Sequence, residues 1–466
     1  MKLKSTNSFI NEDFLLENKF SKILYFDFAS KMPIIDYHNH LSPKAISENK
    51  KFSNINSVWL DGDHYKWRVM RSLGFDESFI TGDASNETKF NKWSEAVPLS
   101  SRNPIFHWTH LELKRYFNID KILQPSTANE IYLETNRIIK KKSPVDLIVE
   151  SNVKILCTTD DPIDDLKNHI KFSKNENKLK MLPTFRPDLV FNITSDKFLS
   201  YISSLSKKTD FSINSYESLI FSLSKRIDFF HDNGCRLSDH GFEHIYAQDY
   251  KKENIEKIFV NKLSGISPTR KEALMYKSSI LYDLCCLYAK KGWTQQFHLG
   301  AIRNNNSNLF NTIGPDVGCD SIGDFSQAQK MSSFFNKLNS YGLLTNTIVY
   351  NLNPSMNEVF ASMIGNFSSS NISMHHGSAW WYLDQKDGIE KQINSLSSVG
   401  VISKFIGMVT DSRSFLSFPR HEYFRRIISN IFGNDIKKGL IPNDLDFYGK
   451  IIQDICFNNA EKSLKL

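Results

Sequence analysis

Long apolar runs are missing from this chain of 466 residues. No stretch approaches the roughly 18 apolar residues that a membrane-spanning helix needs, so we expect no membrane span. The chain opens with MKLKSTNSFINEDFLLENKF, in which asparagine and acidic residues interrupt any apolar segment. This pattern argues against a cleaved signal peptide. A hydrophobic fraction of 40% and a charged fraction of 23% are typical of a globular protein.

Cysteine motifs are also missing. The chain has six cysteines and no Cys-x-x-Cys pair. The cysteines are Cys157, Cys235, Cys285, Cys286, Cys319 and Cys456. This scattered pattern excludes a zinc ribbon and a dense disulfide framework, so we expect reduced thiols and a cytoplasmic protein.

The excess of positive over negative charge is small, since the net charge is only +7. The one basic run, Lys140 to Lys142, ends a helix-like segment, where cations suit the helix dipole. We therefore expect no nucleic-acid partner. A glycine-rich phosphate loop is likewise missing after the first predicted strand, and this disfavours an open, doubly wound sheet that binds a nucleotide.

What the chain does contain is a series of short apolar segments that end in polar residues and alternate with longer, helix-like stretches. Such alternation indicates parallel βαβ units. Eight units predict an α/β fold of the (β/α)8 TIM-barrel type, with site residues at the carboxyl ends of the strands. The segments are IIDYHNH (34–40), KILCTTDDP (154–162), KMLPTFRPD (180–188), CRLSDHG (235–241), TQQFHLGAIR (294–303), NTIVYNLNP (346–354), NISMHHGSAWW (371–381) and KFIGMVTDSR (404–413).

The length of the chain implies more than a barrel, because a barrel of this type takes roughly 250 residues. The interval 44–150 is too long for a simple crossover and has helical periodicity, for example in NPIFHWTHLELKRYFNI (103–119). We predict three parts: an N-terminal helical segment with the first strand (1–43), a helical insertion at the barrel rim (44–150), and the remainder of the barrel with C-terminal helices (151–466). The last clear helix is predicted to begin near Pro419 and to end at Gly433.

The pair His38 and His40 predicts a metal site. In a strand, residues two apart point to the same face, so both imidazoles could bind one cation. Alone, such a pair is more often exposed or hydrogen-bonded, and Asp411 alone could be a buried helix cap. The first and last strands of a closed barrel are neighbours, however, which would place Asp411 beside both histidines. Two imidazoles and one carboxylate suit a divalent cation, Zn²⁺ first and Mn²⁺ as the alternative.

Three arginines, Arg186, Arg303 and Arg413, each end a predicted strand. Their convergence at one barrel mouth would indicate an anionic ligand, because a guanidinium matches a carboxylate or a phosphate in a bidentate way. The neighbouring Trp380 and Trp381 add a stacking surface that suits a polyhydroxylated ligand.

Further residues leave their roles open. His298 ends the fifth predicted strand and could be a third metal ligand, a hydrogen-bond donor to substrate or a core histidine. His64 and Tyr65 belong to the predicted insertion and could close the site from above or pack in the core.

Several segments resemble those of uronate isomerase (glucuronate isomerase), a divergent member of the amidohydrolase superfamily, and the similarity runs nearly end to end. They are DYHNHLSP, DHYKWR, NPIFHWTHLELKRYF, TTDDP, TFRPD, LSDHG, HLGAIRNNN with GPDVGCDSIGD, WWY and TDSRSFLSFPRHEYFRRI. Two features differ from the hydrolytic relatives: no lysine ends the fourth predicted strand as a carbamate bridge, and the arginine set is larger. Asn39 stands where relatives often carry Cys.

This resemblance implies reversible aldose–ketose isomerisation of hexuronates, D-glucuronate to D-fructuronate and D-galacturonate to D-tagaturonate. A cation on His38, His40 and Asp411 would fix the sugar acid, and arginines would neutralise its carboxylate and the enediolate charge. The expected proton carriers are drawn from Tyr65, His64, Asp239, His298 and Asp411. The expected substrate-binding residues are Arg186, Arg303, Arg413, Trp380 and Trp381.

Two other functions compete with this one. A metal-dependent hydrolase or deaminase of the same superfamily would use water at the open metal positions. A non-catalytic sugar-acid binding protein would not need the full set of histidine, aspartate and arginine. We also expect a small-molecule hexuronate as the substrate and a homo-oligomeric assembly.

Overall fold

The computed structural model describes residues 8–175 and 178–466. Two runs of parallel strands dominate it, ordered β1-β2-β3 and β10-β9-β6-β5-β4. Only Pro183 separates β3 from β4, so these two short strands join the runs into one parallel series. A separate antiparallel pair is formed by β7 and β8. The strands are β1 (Ile34–Asp36), β2 (Val153–Cys157), β3 (Lys180–Leu182), β4 (Thr184–Phe185), β5 (Leu237–Phe242), β6 (Thr294–Leu299), β7 (Ala301–Ile302), β8 (Ser321–Ile322), β9 (Thr347–Asn351) and β10 (Met374–His376).

Seven of the eight predicted segments contain a parallel strand, whereas the eighth, 404–413, contains no regular strand. It nevertheless lies beside β1, because Asp411 N donates to His38 O (3.2 Å) and His40 N donates to Ser412 O (3.0 Å). A regular β-ladder between this segment and β1 does not form, for two reasons. Asp411 has a φ of 46°, and Thr410 N donates to the Asp36 side chain instead of a backbone carbonyl. The prediction of a regular eighth strand was wrong, but the segment takes the position of that strand.

Helices cover the series of strands and fill the intervals between them. The α-helices are α1 (Lys19–Ile23), α2 (Pro43–Glu48), α3 (Asn56–Trp59), α4 (His64–Ser72), α5 (Asn86–Leu99), α6 (Pro104–Phe117), α7 (Ala128–Ile139), α8 (Pro144–Glu150), α9 (Lys167–Ser173), α10 (Phe198–Thr209), α11 (Tyr216–Asp232), α12 (Lys252–Leu263), α13 (Arg270–Lys291), α14 (Ser307–Thr312), α15 (Ala328–Ser340), α16 (Asn357–Phe367), α17 (Lys386–Val399), α18 (Pro419–Lys438), α19 (Leu445–Gln453) and α20 (Asn459–Leu464). Shorter 3-10 turns are Ala29–Lys31, Glu77–Phe79, Asp188–Phe191, Pro354–Met356, Trp381–Leu383 and Ile402–Lys404, and π turns are Leu24–Phe28 and Asp454–Asn458.

The interval between β1 and β2 contains helices α2 to α8. The predicted helix in 103–119 is α6, which begins after an Asn103 cap with Pro104 in its first turn and ends at Asn118 in the left-handed conformation. The helical content predicted for 44–150 is therefore present. The division of the chain into three parts stays a prediction.

The predicted end of the last clear helix at Gly433 was wrong, because α18 continues to Lys438 and ends at Gly439, whose φ is 72°. Gly433 serves a packing purpose instead. A Cβ at this position would collide with the backbone and the hydroxyl of Ser21 on α1. The absence of a side chain thus lets α1 and α18 approach closely, which ties the N-terminal segment to the C-terminal helix.

The interior of the strand series is buried on both faces, as in other parallel sheets. All six residues of β6 are buried, including the polar Gln295 and Gln296. Their side chains have partners on β9, since Gln295 donates to Thr347 Oγ1 (2.9 Å) and Gln296 accepts from the Tyr350 hydroxyl (2.7 Å). These bonds offset part of the cost of burying the amides, since Gln295 Oε1 and Gln296 Nε2 have no partner among the described residues. Among the described residues, no helix is long and apolar enough to cross a membrane.

Candidate active site

A cavity of about 610 Å³ opens where the parallel strands end. Its wall includes His38 and His40 after β1, Thr159 after β2 and Arg186 after β4. The carboxyl edge of the strands is where barrel proteins build their sites. The volume lies within the range of roughly 300–1,000 Å³ that small-molecule sites occupy.

His38, His40 and Asp411 come together at this cavity although β1 ends at Asp36, so the histidines lie just beyond the strand. Asp411 Oδ1 is 3.1 Å from His38 Nε2 and 3.2 Å from His40 Nε2. In a tetrahedral zinc site with bonds of about 2.0–2.1 Å, neighbouring ligand atoms are about 3.3 Å apart. The three side chains therefore fit one small divalent cation. Burial acts to raise the pKa of Asp411, but the two histidines hold it well below its usual range, so the carboxylate is ionised.

Two outer contacts orient these ligands. The indole of Trp380 donates to Asp411 Oδ2 (2.8 Å), and the Thr159 hydroxyl lies 2.9 Å from His40 Nδ1. Such second contacts fix the ring and the carboxylate orientation in metal sites. Trp380, predicted as a stacking surface, thus also holds the predicted carboxylate ligand.

His298 forms a second group with His38 and Asp239 whose candidate ligand atoms lie within 4.8 Å of one another. Its Nδ1 is 2.7 Å from Asp239 Oδ1, and because a carboxylate only accepts, Nδ1 carries the proton. Burial lowers the pKa of His298 to about 4, so the ring is neutral and Nε2 keeps its lone pair. Within the described residues that nitrogen has no hydrogen-bond partner. A bare Nε2 suits a metal ligand additional to His38, His40 and Asp411 better than a hydrogen-bond donor to substrate.

Asp239 lies beneath the wall and is completely buried. Burial acts to raise its pKa, but Arg186 and then His298 lower it well below the usual range. Its Oδ2 lies 3.0 Å from Arg186 Nη1 in a buried ion pair. In the described part of the chain the wall does not include Asp239, so the structure brings this predicted proton carrier to Arg186 and His298 and not to the cavity itself.

The three predicted arginines all line the cavity. Each is close to a carboxylate that sequence reasoning missed: Arg186 Nε is 2.8 Å from Asp188 Oδ2, and Arg303 Nη1 is 2.7 Å from Asp320 Oδ2. The third such carboxylate belongs to Asp316, 3.5 Å from Arg413 Nη2. These contacts aim the guanidinium groups before any ligand arrives.

Gly241 allows two of the arginines to converge. A Cβ built on Gly241 would lie 2.7 Å from Arg186 Nη2 and 3.6 Å from Arg303 Nη2. Both guanidinium groups therefore approach the same point above β5. They outnumber the one carboxylate already there, Asp188, whose Oδ2 would be 3.4 Å from that Cβ, so a second carboxylate could bind. A side chain at this position would displace the Arg186 guanidinium, whereas 3.6 Å to Arg303 is an ordinary contact.

Trp381, one of the aromatic residues that line the cavity, has an unusual backbone conformation. Trp381 has a φ of 52°, in the left-handed region that bulky residues rarely adopt. Its ring stacks on His64 with centroids 4.3 Å apart and an interplanar angle of 16°. Left-handed residues at a cavity wall, here Trp381 and Asp411, are typical of sites where position matters more than local strain.

His64 and Tyr65 are the first two residues of α4, and they differ in their access to the cavity. His64 lines it, whereas in the described residues Tyr65 is not part of the wall. The Tyr65 hydroxyl donates to Asp384 Oδ2 (3.1 Å), and the Arg420 guanidinium lies 5.0 Å from the Tyr65 ring centroid. Burial raises the pKa of Asp384 to about 7. The predicted contact of Tyr65 with substrate would require its hydroxyl to leave Asp384.

Comparison with known proteins agrees with the motifs. The sequence model of the glucuronate isomerase family matches residues 6–464 of this chain. A uronate isomerase of Flavobacterium johnsoniae is 50% identical over 465 residues, which cover 99% of this chain and 100% of that protein. A uronate isomerase of Bacteroides thetaiotaomicron is 49% identical over 466 residues, with 98% and 99% covered.

Solved structures agree as well. A crystal structure of uronate isomerase from Thermotoga maritima matches with a TM-score of 0.93 and 31% identity, covering 98% of this chain and 100% of that chain. A glucuronate isomerase structure from Caulobacter crescentus matches with a TM-score of 0.91 over 98% and 96% of the two chains, and at 21% identity it bears on the fold alone. The predicted fold class and the predicted resemblance are both confirmed. Because the sequence model of the family matches almost the whole chain and a full-length relative is 50% identical, this chain belongs to the glucuronate isomerase family.

Proposed function

We propose that this chain interconverts the aldose and ketose forms of hexuronates, D-glucuronate with D-fructuronate and D-galacturonate with D-tagaturonate. The observation that carries the proposal is the joint placement of His38, His40, Asp411 and the arginines around one cavity in a chain of this family. The reaction moves a proton from C2 to C1 of an open-chain sugar acid, while the hydroxyl proton on O2 is replaced by one on O1.

The arginines bind and orient the sugar acid. Arg186 and Arg303 face a common point above Gly241, which suits a carboxylate, and Arg413 reaches the same cavity from the end of segment 404–413. Guanidinium donors aimed in advance also stabilise the negative charge that develops on O1 and O2 in the enediolate. The aromatic rings of Trp380 and Trp381 exclude water from one side of the chain of carbons.

His38, His40 and Asp411 would hold a divalent cation, Zn²⁺ or Mn²⁺, with His298 as a further ligand. Nitrogen and carboxylate donors suit both ions. When bound, the cation supplies Lewis-acid polarisation of sugar oxygens and a fixed template for the substrate. Asp411 is ionised and lines the cavity, so its carboxylate is placed to accept a proton from the substrate.

The alternative of a hydrolase or deaminase lacks support. Hydrolytic relatives were expected to carry a lysine at the end of the fourth strand, and here β5 contains Asp239, engaged by Arg186 and His298. The three arginines on the wall also suit an anionic substrate better than a neutral amide or ester.

The direct test is incubation of the purified protein with D-glucuronate, with ketouronate formation followed over time. We expect conversion that a strong chelator abolishes and that added Zn²⁺ or Mn²⁺ restores. D-Glucose is the matched control, because it has the same aldose end without the carboxylate, and we expect no conversion. Equal activity on both sugars, or full activity after chelation, would contradict the proposal.

Tyr65 is the second proton carrier that we propose, paired with Asp384. Because the pKa of Asp384 is raised to about 7, this carboxyl can hold a proton near neutral pH while the phenol exchanges one with the substrate. Tyr65→Phe removes only the hydroxyl, so we expect kcat to fall by about 10²–10⁴ with metal content unchanged. Steady-state kinetics and thermal melts on this variant provide the measurement. A lowered melting temperature with retained kcat would show that the hydroxyl serves only as a donor to Asp384.

A further inference from the structure

His64 is placed with unusual constraint at the start of α4. Its side chain is 4% exposed and lines the cavity. The carboxylate of Asp63 caps the helix by accepting from the backbone N–H groups of Tyr65 and Lys66. The ring of Trp381 stacks flat against the imidazole at 4.3 Å. The imidazole therefore has little freedom to change its orientation.

The contact with Arg413 fixes which nitrogen carries the proton. Arg413 Nη1 lies 3.0 Å from His64 Nδ1. A guanidinium has donors and no acceptor, so Nδ1 must offer its lone pair. A ring turned by 180° would set a C–H group against the guanidinium and lose this bond. The neutral imidazole then carries its proton on Nε2.

Charge around the ring favours the neutral state. Burial, and after it the positive charge of Arg413, lower the pKa of His64 to about 3. The negative charges of Asp63, Asp411 and Asp316 act to raise this pKa, but their effect is smaller. A second positive charge beside Arg413 at the N-terminus of α4 would also oppose the helix dipole. The remaining neighbours, Tyr65 and Trp381, offer ring faces. His64 is thus neutral throughout the physiological pH range.

The Nε2–H donor has no partner among residues 8–175 and 178–466. A buried donor without an acceptor costs about 1–3 kcal/mol, which argues that an acceptor arrives with a ligand. We propose that His64 is a catalytic residue that stays neutral and donates its Nε2–H bond to an oxygen of the bound sugar acid that becomes negative during isomerisation. The imidazole neither gains nor loses a proton in this role, and the inference rests on the proposed function.

Three substitutions distinguish this hydrogen-bonding role of His64 from two others, anchoring of Arg413 and proton transfer. His64→Gln places an amide N–H near the Nε2 position, His64→Asn keeps an acceptor near Nδ1 for Arg413 without that donor, and His64→Leu removes both. On the metal-loaded enzyme with D-glucuronate, we expect kcat/KM of His64→Gln to stay within about tenfold of wild type, with an unchanged pH profile. Both other variants should lose about 10²–10³-fold, the usual effect of removing one such donor.

Two outcomes would overturn the proposal. If His64→Asn is as active as His64→Gln, then His64 only anchors Arg413. If His64→Gln is as inactive as His64→Leu and one limb of the pH profile disappears, then His64 transfers protons.

A spectroscopic measurement decides the tautomer independently of turnover. In metal-loaded enzyme with ¹⁵N-labelled histidine, the His64 signals are assigned by their absence from His64→Gln. We expect a proton on Nε2 and a bare Nδ1 from about pH 5.5 to about pH 8.5, the range in which an ordinary histidine titrates. A charged ring or a proton on Nδ1 would overturn the inference. If wild-type protein does not convert D-glucuronate, the proposed function fails, and this spectrum still decides the state of His64.

Discussion

Replacement of His40 by Ala is expected to remove the bound cation and the isomerase activity together. His40 Nε2 and His38 Nε2 both face Asp411 Oδ1 at 3.1–3.2 Å, so loss of one imidazole leaves two ligands where three converge. Polarisation by a metal contributes several kcal/mol to a reaction of this kind, which corresponds to roughly 10³-fold or more in kcat. Elemental analysis of the purified variant and its rate on D-glucuronate provide the two measurements.

A matched control for His40→Ala is His231→Ala. His231 lies near the end of α11, just before β5 begins, and thus at the opposite end of the strands from the cavity. This variant should keep its cation and its activity, although the Trp293 indole loses its acceptor there. Stoichiometric metal in active His40→Ala protein would remove His40 from the metal site. Full metal content with no activity would assign it another role.

The positions of the strands could be predicted because their signal is local. A parallel strand is buried on both faces, so it appears as a short apolar run, and a polar residue follows where the strand reaches the cavity. Seven runs of this kind contain strands in the structure. The adjacency of His38 and Asp411 could also be predicted, because closure of a barrel brings the first and eighth positions together.

The exact backbone of the metal site could not be predicted, because it depends on contacts between distant segments. Asp36 accepts from Thr410, which is 374 residues away in the chain, and this bond replaces a ladder bond at the eighth position. The left-handed φ of Asp411 has only a weak sequence signal, since aspartate visits this region much less often than glycine does. His38 and His40 consequently share one cation site without sharing a strand.

The carboxylate partners of Arg186 and of Tyr65 were missed for two different reasons. Asp188 follows Arg186 by two residues and is indistinguishable in sequence from an ordinary turn residue after proline. Asp384 was missed because its partner Tyr65 is 319 residues away. Recognition of such pairs needs the tertiary structure. The homo-oligomer and the cytoplasmic location expected from the sequence stay predictions.

Arg413→Lys is expected to lower kcat/KM for D-glucuronate by about 10²–10³-fold, although the charge is kept. The guanidinium donates to His64 from one nitrogen and faces Asp316 from another, so it serves two partners from one planar group. A lysine ammonium is a point charge on a flexible stem and cannot reproduce this fork. Loss of the bond to His64 should in addition free the imidazole to change its tautomer, which a substrate-contact role alone would not cause.

The measurement for Arg413→Lys is steady-state kinetics combined with the metal content and the ¹⁵N spectrum of His64. Arg236→Lys is the matched control, because Arg236 precedes β5 at the far end of the strands. Among the described residues its side chain bonds only to His231 and to the carbonyl of Cys235. We expect the control to keep wild-type kinetics. Because Arg413 lies two residues after Asp411, unchanged metal content is needed to assign the loss to substrate binding. Unaltered kcat/KM in Arg413→Lys would remove the guanidinium from the site, and with it the constraint that holds His64 in one tautomer.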